Sequence, residues 1–217
     1  MSHKRIVVLI SGRGSNLQAL LAADLPAKFA AVVSNVPDAG GLAIARAHGI
    51  PTIVIDHRKF TDRATFDAAL AAEIDRHAPD LLVLAGFMRV LTDSFVRGYA
   101  GKMLNIHPSL LPAFTGLHTH RRALAEGVRV HGCTVHFVTA QLDHGPIVIQ
   151  AAVAVHPHDT EDTLAARVLE QEHRIYRQAV RWYCEDRIRL TADGKIEIKS
   201  AATSDETLVC PQVDSSP

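Results

Sequence analysis

The feature that most constrains this 217-residue chain is the alternation, through its first half, of short apolar runs with segments of helical character. Residues 5–10 read Arg-Ile-Val-Val-Leu-Ile, an unbroken β-branched run that suits a strand buried on both faces. Ser15 to Leu21 follows with helical character, and Ser15 is a candidate N-cap. Residues 29–33, 52–55, 80–85 and 103–105 repeat the strand pattern. Residues 41–48, closed by Gly49 and Pro51, and an Ala-rich stretch from Arg63 to His77 repeat the helical one. Strands alternating with helices imply a parallel sheet with right-handed crossovers. The expected fold is α/β: a Rossmann-like, mostly parallel twisted sheet of about seven strands with helices on both faces.

The second half changes character. Residues 128–139 and 147–155 read as two longer strands that pair antiparallel and extend the sheet. A helix is expected from Glu161 to Cys184, with Thr160 as its cap and an acidic first turn that suits the helix dipole. One domain is expected over residues 1–190, its two halves dividing at about residue 100. Residues 191–217 are expected to form a hairpin and a loose tail, the stretch from Ser200 on being rich in Ser, Thr, Asp and Pro.

Composition narrows the partners. Lys plus Arg equals 23 and Asp plus Glu equals 23, a balance that argues against a dedicated nucleic-acid or membrane-surface protein. Small-molecule substrates are expected instead, with the chain a monomer or a homodimer. Cys133, Cys184 and Cys210 are far apart and form no CxxC pair, so neither a disulfide scaffold nor a structural zinc site is expected, and a cytoplasmic location fits reduced thiols. The pairs His118/His120 and His156/His158 lack a matching Cys or Glu spacing, and no metal is expected.

Three segments carry candidate chemistry. Ser11-Gly12-Arg13-Gly14-Ser15-Asn16 joins the first strand to the first helix; it is either an anion seat for a phosphate monoester or a tight turn without a ligand. It is neither a GxGxxG fingerprint nor a Walker A loop, since Leu17 stands at the third Gly position and no Lys follows the Gly. Asn105-Ile106-His107-Pro108-Ser109-Leu110-Leu111-Pro112 pairs a neutral hydrogen-bond donor with an imidazole that titrates near neutrality. On an extended backbone Asn105 and His107 are expected to point to opposite sides of the strand, so that both reach one substrate only where it ends or bends, which Pro108 favours. Asp143 is either a turn former or a carboxylate set beside His107 to hold the imidazole protonated. Met88-Arg89-Val90-Leu91, after the fourth strand, is either an apolar wall at the crevice or core. Period-two geometry puts Gly132, Thr134 and His136 on one face of the strand that leads to Asp143.

The set Ser-Gly-x-Gly-Ser-Asn-Leu-Gln, Leu-Ala-Gly-Phe-Met-Arg, Asn-x-His-Pro-Ser-Leu-Leu-Pro and Leu-Asp-x-Gly-Pro resembles the folate-dependent formyltransferases, from about Arg5 to Cys184. Gly-Leu-His-Thr-His at 116–120 and Gln-Glu-His-x-Ile-Tyr at 171–176 resemble the phosphoribosylglycinamide formyltransferase branch, which acts in de novo purine synthesis. The resemblance implies formyl transfer from 10-formyltetrahydrofolate to the amine of glycinamide ribonucleotide, without a metal. It implies Asn105, His107 and Asp143 as the catalytic trio. Gly14, Ser15 and Asn16 would hold the nucleotide's phosphate, with Gln171 and Glu172 on the same nucleotide. Folate would be bordered by Arg63, by Met88, Arg89, Val90 and Leu91, by Asn105, and by Thr139, Ala140, Gln141, Leu142 and Asp143. Leu169 departs from members that place a Lys or Gln there, so the phosphate would rely more on the loop or on another cation. Two rivals share the trio. Methionyl-tRNA formyltransferase is expected to carry a further C-terminal domain and a basic surface, and formyltetrahydrofolate hydrolase an N-terminal regulatory domain.

Overall fold

The computed structural model describes residues 3–202, 208, 210 and 211. Seven strands form one sheet in the order β3-β2-β1-β4-β5-β6-β7. They are β1 (Lys4–Ile10), β2 (Ala27–Ser34), β3 (Thr52–Val54), β4 (Leu81–Leu84), β5 (Met103–His107), β6 (Val130–Phe137) and β7 (Ile147–Ala154). The first five are mutually parallel, and β6 and β7 run antiparallel at one edge, as expected. The helices are α1 (Ser15–Leu21), α2 (Gly40–Ala47), α3 (Arg63–Asp75), α4 (Asp93–Gly98), α5 (Thr119–Ala125) and α6 (Glu161–Cys184). A small hairpin of β8 (Ile188–Leu190) and β9 (Ile196–Ile198) follows, so it starts three residues ahead of the expected boundary at 191. The tail expected beyond Ser200 falls largely outside the described residues.

The sheet is covered on both faces because its strands carry apolar side chains both ways. In β1, Ile6, Val8 and Ile10 enter the layer formed with α1, α2 and α6, while Val7 and Leu9 enter the layer with α3 and α4; all five are fully buried. Removing such side chains from water is the main favourable term of folding, at roughly 25 cal/mol per Å². Helix α6 starts where expected: Thr160 caps it, its hydroxyl accepting from Thr163 N while the Thr163 hydroxyl accepts from Thr160 N. The buried Tyr176 hydroxyl fastens α6 to the sheet, 2.9 Å from both Leu84 O and Leu104 O.

Four local expectations are corrected. The N-cap of α1 is Gly14, in the left-handed region at φ 84°, and no side chain caps it; Ser15 is already the first helical residue. A Cβ on Gly14 would lie 2.5 Å from Gly41 Cα, so the starts of α1 and α2 touch backbone to backbone. Helix α3 stops at Asp75 instead of His77, and Asp62 caps it by accepting from Thr65 N. Strand β5 runs on through His107, and Asn105 and His107, two positions apart, share one side of it; no bend is needed to bring them together. The short helices α4 and α5 were not expected.

Candidate active site

The order β3-β2-β1-β4-β5 reverses direction between β1 and β4, and in an open α/β sheet the ligand crevice belongs beyond the C-terminal ends of the strands at such a point. The two loops that border it are tied together. Ser11 N donates to Gly86 O (3.1 Å), Met88 N donates to the Ser11 hydroxyl (2.7 Å), and that hydroxyl donates to Asn35 Oδ1 (2.5 Å). Strand β5 ends at the same edge and delivers His107 there.

On the α1 side, Asn16 is buried and its Nδ2 donates to Glu172 Oε2 over 2.7 Å. Tyr176, one turn further along α6, fixes the height at which Glu172 meets the loop. Burial pushes the Glu172 carboxyl up from its ordinary value, and the Asn16 hydrogen bond opposes that rise. Asn16 Oδ1 is buried with no hydrogen-bond partner among the described residues. Gly14 and Ser15 form the turn itself. Gln171 Oε1 accepts from Arg174, on the next turn of α6.

At the end of β5, His107 is 6% exposed and held from both sides. Its Nε2 lies 2.9 Å from Phe114 O; a carbonyl only accepts, so Nε2 carries the proton of that bond. Its Nδ1 faces Asp143 Oδ2 at 3.6 Å. Asp143 Oδ2 also accepts from Gly116 N (2.8 Å), which fixes the carboxylate independently of the imidazole. Asp143 takes φ 54° in its turn, a left-handed conformation that Asp tolerates better than most residues. It is therefore both a turn former and a carboxylate beside His107. The loop between β6 and β7 crosses the β5–β6 face to bring it there: Val138 N donates to Met103 O at one end of β5, and Asp143 meets His107 at the other.

Strand β6 supplies the support. Thr134, opposite His107 in register, donates its hydroxyl to Ser109 O and accepts from Leu111 N, pinning the Pro108–Pro112 segment. A Cβ on Gly132 would lie 2.0 Å from Ala151 O and 2.9 Å from Leu110 Cδ2, so only glycine fits beneath that segment. His136, opposite Asn105, has its Nε2 3.2 Å from Asn105 Nδ2. The Phe114 and Gly116 backbone partners were missed by sequence reasoning, since any residue offers such groups; only the Gly at 116, which takes φ 76°, hinted at a special turn.

Among the other residues expected to border the site, Met88 (64% exposed) and Val90 (52%) are not core, and Leu142 is likewise 52% exposed. Leu91 packs under this rim against the α3 layer. The Arg89 guanidinium lies over the Phe66 ring at 5.6 Å, and Asp67 accepts from Thr92 N, so this loop rests on the first turns of α3. Arg63 is exposed at the N-terminus of that helix. Gln141 O accepts from the Thr139 hydroxyl. Thr139 and Ala140 line a cavity of about 530 Å³ with Phe137, Tyr183 and Ile188; this cavity lies toward the hairpin and includes none of Asn105, His107 and Asp143.

The chemistry that this arrangement offers is a neutral amide donor, an imidazole with a carboxylate at its back, and a second carboxylate across the crevice. Among the described residues, no three His, Cys, Asp or Glu side chains are grouped as a metal site. No helix among them is long and apolar enough to cross a membrane.

Comparison with known proteins gives the family. The formyl transferase family model matches residues 4–180. The phosphoribosylglycinamide formyltransferase of Escherichia coli is 51% identical over 189 residues, covering 85% of this chain and 89% of that protein. The crystal structure of glycinamide ribonucleotide transformylase 1 from Symbiobacterium toebii superimposes with a TM-score of 0.88 at 45% identity, covering 91% of this chain and 94% of that one. A formyltetrahydrofolate deformylase from Pseudomonas syringae superimposes with a TM-score of 0.83 at 30% identity, over 90% of this chain but 66% of its own. With the matched region running from the first strand into the last long helix, this chain belongs to the formyl transferase family and is a formyltransferase.

Proposed function

We propose that the chain transfers the formyl group of 10-formyltetrahydrofolate to the amine of glycinamide ribonucleotide, and that Asn105, His107 and Asp143 carry the transfer. The observation behind this is the convergence of three side chains from two separate segments: Asn105 and His107 on one side of β5, with Asp143 Oδ2 3.6 Å from His107 Nδ1. In the transfer, the amine nitrogen bonds to the formyl carbon and the former carbonyl oxygen takes up negative charge. Asn105, as an N–H donor, and His107, as an imidazolium, stabilise that charge. Asp143 favours the imidazolium by opposite charge across 3.6 Å. Collapse breaks the bond from carbon to the folate nitrogen, which takes a proton while the amine loses one; His107 or a water carries it.

Gly14, Ser15 and Asn16 are assigned to the nucleotide's phosphate end, and Glu172 to its ribose or amine end. The orphan Asn16 Oδ1 is an acceptor suited to a hydroxyl or amine of that ligand. Met88, Val90 and Leu142 offer exposed apolar surface for the ring portions of the folate. Arg63, Arg89, Leu91, Thr139, Ala140 and Gln141 are assigned to its surroundings.

The test follows release of the deformylated folate from 10-formyltetrahydrofolate with and without glycinamide ribonucleotide. Release that requires the nucleotide supports the proposal. Equal release without it identifies a hydrolase, the activity named for the P. syringae neighbour.

A further inference from the structure

We propose that His136 is a positioning residue of the transfer site: as the neutral imidazole protonated on Nδ1, it accepts a hydrogen bond from the Asn105 amide and so fixes which way that amide faces. His136 stands opposite Asn105 in the β5–β6 register and is 2% exposed. Its Nδ1 lies 2.9 Å from Phe137 O. A carbonyl oxygen offers only lone pairs, so the contact is favourable only with a proton on Nδ1. Burial holds the His136 pKa below its ordinary value, against the opposing pull of the Phe137 carbonyl and Asp143, and this keeps the ring neutral. Nε2 then carries a lone pair and points at Asn105 Nδ2 over 3.2 Å.

The consequence lies in the near-symmetry of an amide. Asn side-chain O and N differ little in size, and a neighbour that can only accept separates the two orientations. With the acceptor present, Nδ2 faces His136, one N–H is used there, and the second stays as the free donor at Asn105. With the amide turned over, an oxygen would meet the Nε2 lone pair and the donor would leave its place. Asp143 Oδ1 lies 3.9 Å from the same Nε2, so a proton on Nε2 would be drawn to the carboxylate and the acceptor lost. His136 therefore stands between Asn105 and Asp143, with Nε2 3.2 Å from the first and 3.9 Å from the second.

The hydrogen bond stands on geometry alone, while its effect on turnover rests on the proposed formyl transfer, and two measurements separate them. The first is the nitrogen and carbon NMR signature of His136 in the isotopically labelled full chain at neutral pH. The Nδ1–H neutral form is expected; the Nε2–H form or an imidazolium would overturn the proposal, whatever the enzyme does. The second is kinetic. His136→Leu, which removes the acceptor, is expected to lower kcat about tenfold or more with KM for either substrate changed by less than about threefold, as for loss of an oriented oxyanion donor. His136→Gln, whose Oε1 can take the place of Nε2, is expected to keep most of the activity. In an Asn105→Ala background, His136→Leu is expected to add less than about a further twofold, because it acts through the missing amide. Wild-type turnover in His136→Leu, or the full loss persisting without Asn105, would overturn the assignment. Should His136→Leu fail to fold, the NMR signature and the His136→Gln rate still decide it. Absence of nucleotide-dependent transfer in the unaltered chain would reject the functional proposal and leave the tautomer to be judged alone.

Discussion

The two sides of the crevice are built in contrasting ways. The Gly14–Asn16 side is made from regular elements: a glycine turn pressed against the start of α2, and a buried Asn–Glu pair whose height is set by Tyr176 on α6. The His107 side is made from irregular backbone. Its imidazole leans on the carbonyl of Phe114, its carboxylate on the N–H of Gly116, and Phe114, Gly116 and Asp143 all take positive φ. For Phe114 that conformation costs roughly 1–2 kcal/mol relative to the right-handed region. Strain of this kind persists where the surroundings over-determine it, and here Thr134, Gln150 and Gly132 hold the preceding Pro108–Pro112 segment in place. The contrast separates a wall set by packing, proposed for binding, from a corner set by hydrogen bonds to backbone, proposed for the reaction.

If the corner performs the chemistry, its loss should strike turnover and spare the fold. His107→Ala is expected to lower kcat by at least about a hundredfold, near 2.7 kcal/mol of barrier, with circular dichroism and melting behaviour close to wild type. Near-normal turnover would break the division. If the glycine wall is set by packing, Gly14→Ala should do the reverse. It would place a Cβ 2.5 Å from Gly41 Cα at φ 84°, so a loss of about 1–3 kcal/mol in urea unfolding is expected, with a raised KM for the nucleotide. Unaltered stability would show that the two helix starts can part freely.

The same contrast governs what could be read in the sequence. The parallel half was legible because runs such as Ile6–Ile10, apolar on every residue, describe strands covered on both faces. Helix α6 was legible from its Thr160 cap and its length. Helices α4 and α5 were not, since six or seven residues hold too few turns to show a period, and α5 starts from the left-handed His118. Period two correctly grouped Gly132, Thr134 and His136, and each turns out to support the corner. The meeting of Asp143 with His107, 36 positions apart, rests on a loop that crosses two strands; residue type left it as one of two alternatives, and the motif resemblance chose between them. The Phe114 and Gly116 contacts are made by backbone atoms and leave no mark in residue type.

Buried ionisable groups behind each wall sharpen the comparison with opposite signs. Behind the corner, His131 is 1% exposed, packed edge-on to Phe114 and His120, and both its ring nitrogens lack partners among the described residues. Burial, and then the neighbouring His120, push it down to about 4. A histidine whose folded value lies below its unfolded value of about 6.5 makes the unfolded chain the better proton binder, so stability falls as pH drops from about 6.5 towards 4. His131→Phe should remove that slope, and its melting temperature should gain on wild type through this window by several degrees, on the order expected for a chain of this length. A gap that stays constant with pH would place the His131 titration where it lies in the unfolded chain.

Behind the binding wall the sign is reversed and the effect smaller. Glu172 is a carboxyl whose folded value burial has raised, partly offset by Asn16. The folded chain then holds the proton more tightly than the unfolded one, so this group lowers stability as pH rises above the ordinary carboxyl range of about 4.3. Glu172→Gln keeps an oxygen for Asn16 Nδ2 to donate to and removes the charge. Its melting temperature should therefore gain on wild type as pH rises from about 4.3 towards neutrality, by on the order of a few degrees, and level off once the native carboxyl has ionised. The same variant should raise KM for the nucleotide more than it lowers kcat, since Glu172 is assigned to binding. A melting gap that shrinks with rising pH would mean that the Asn16 hydrogen bond outweighs desolvation. The wall would then be held by a hydrogen bond, like the corner, and the contrast between them would fail.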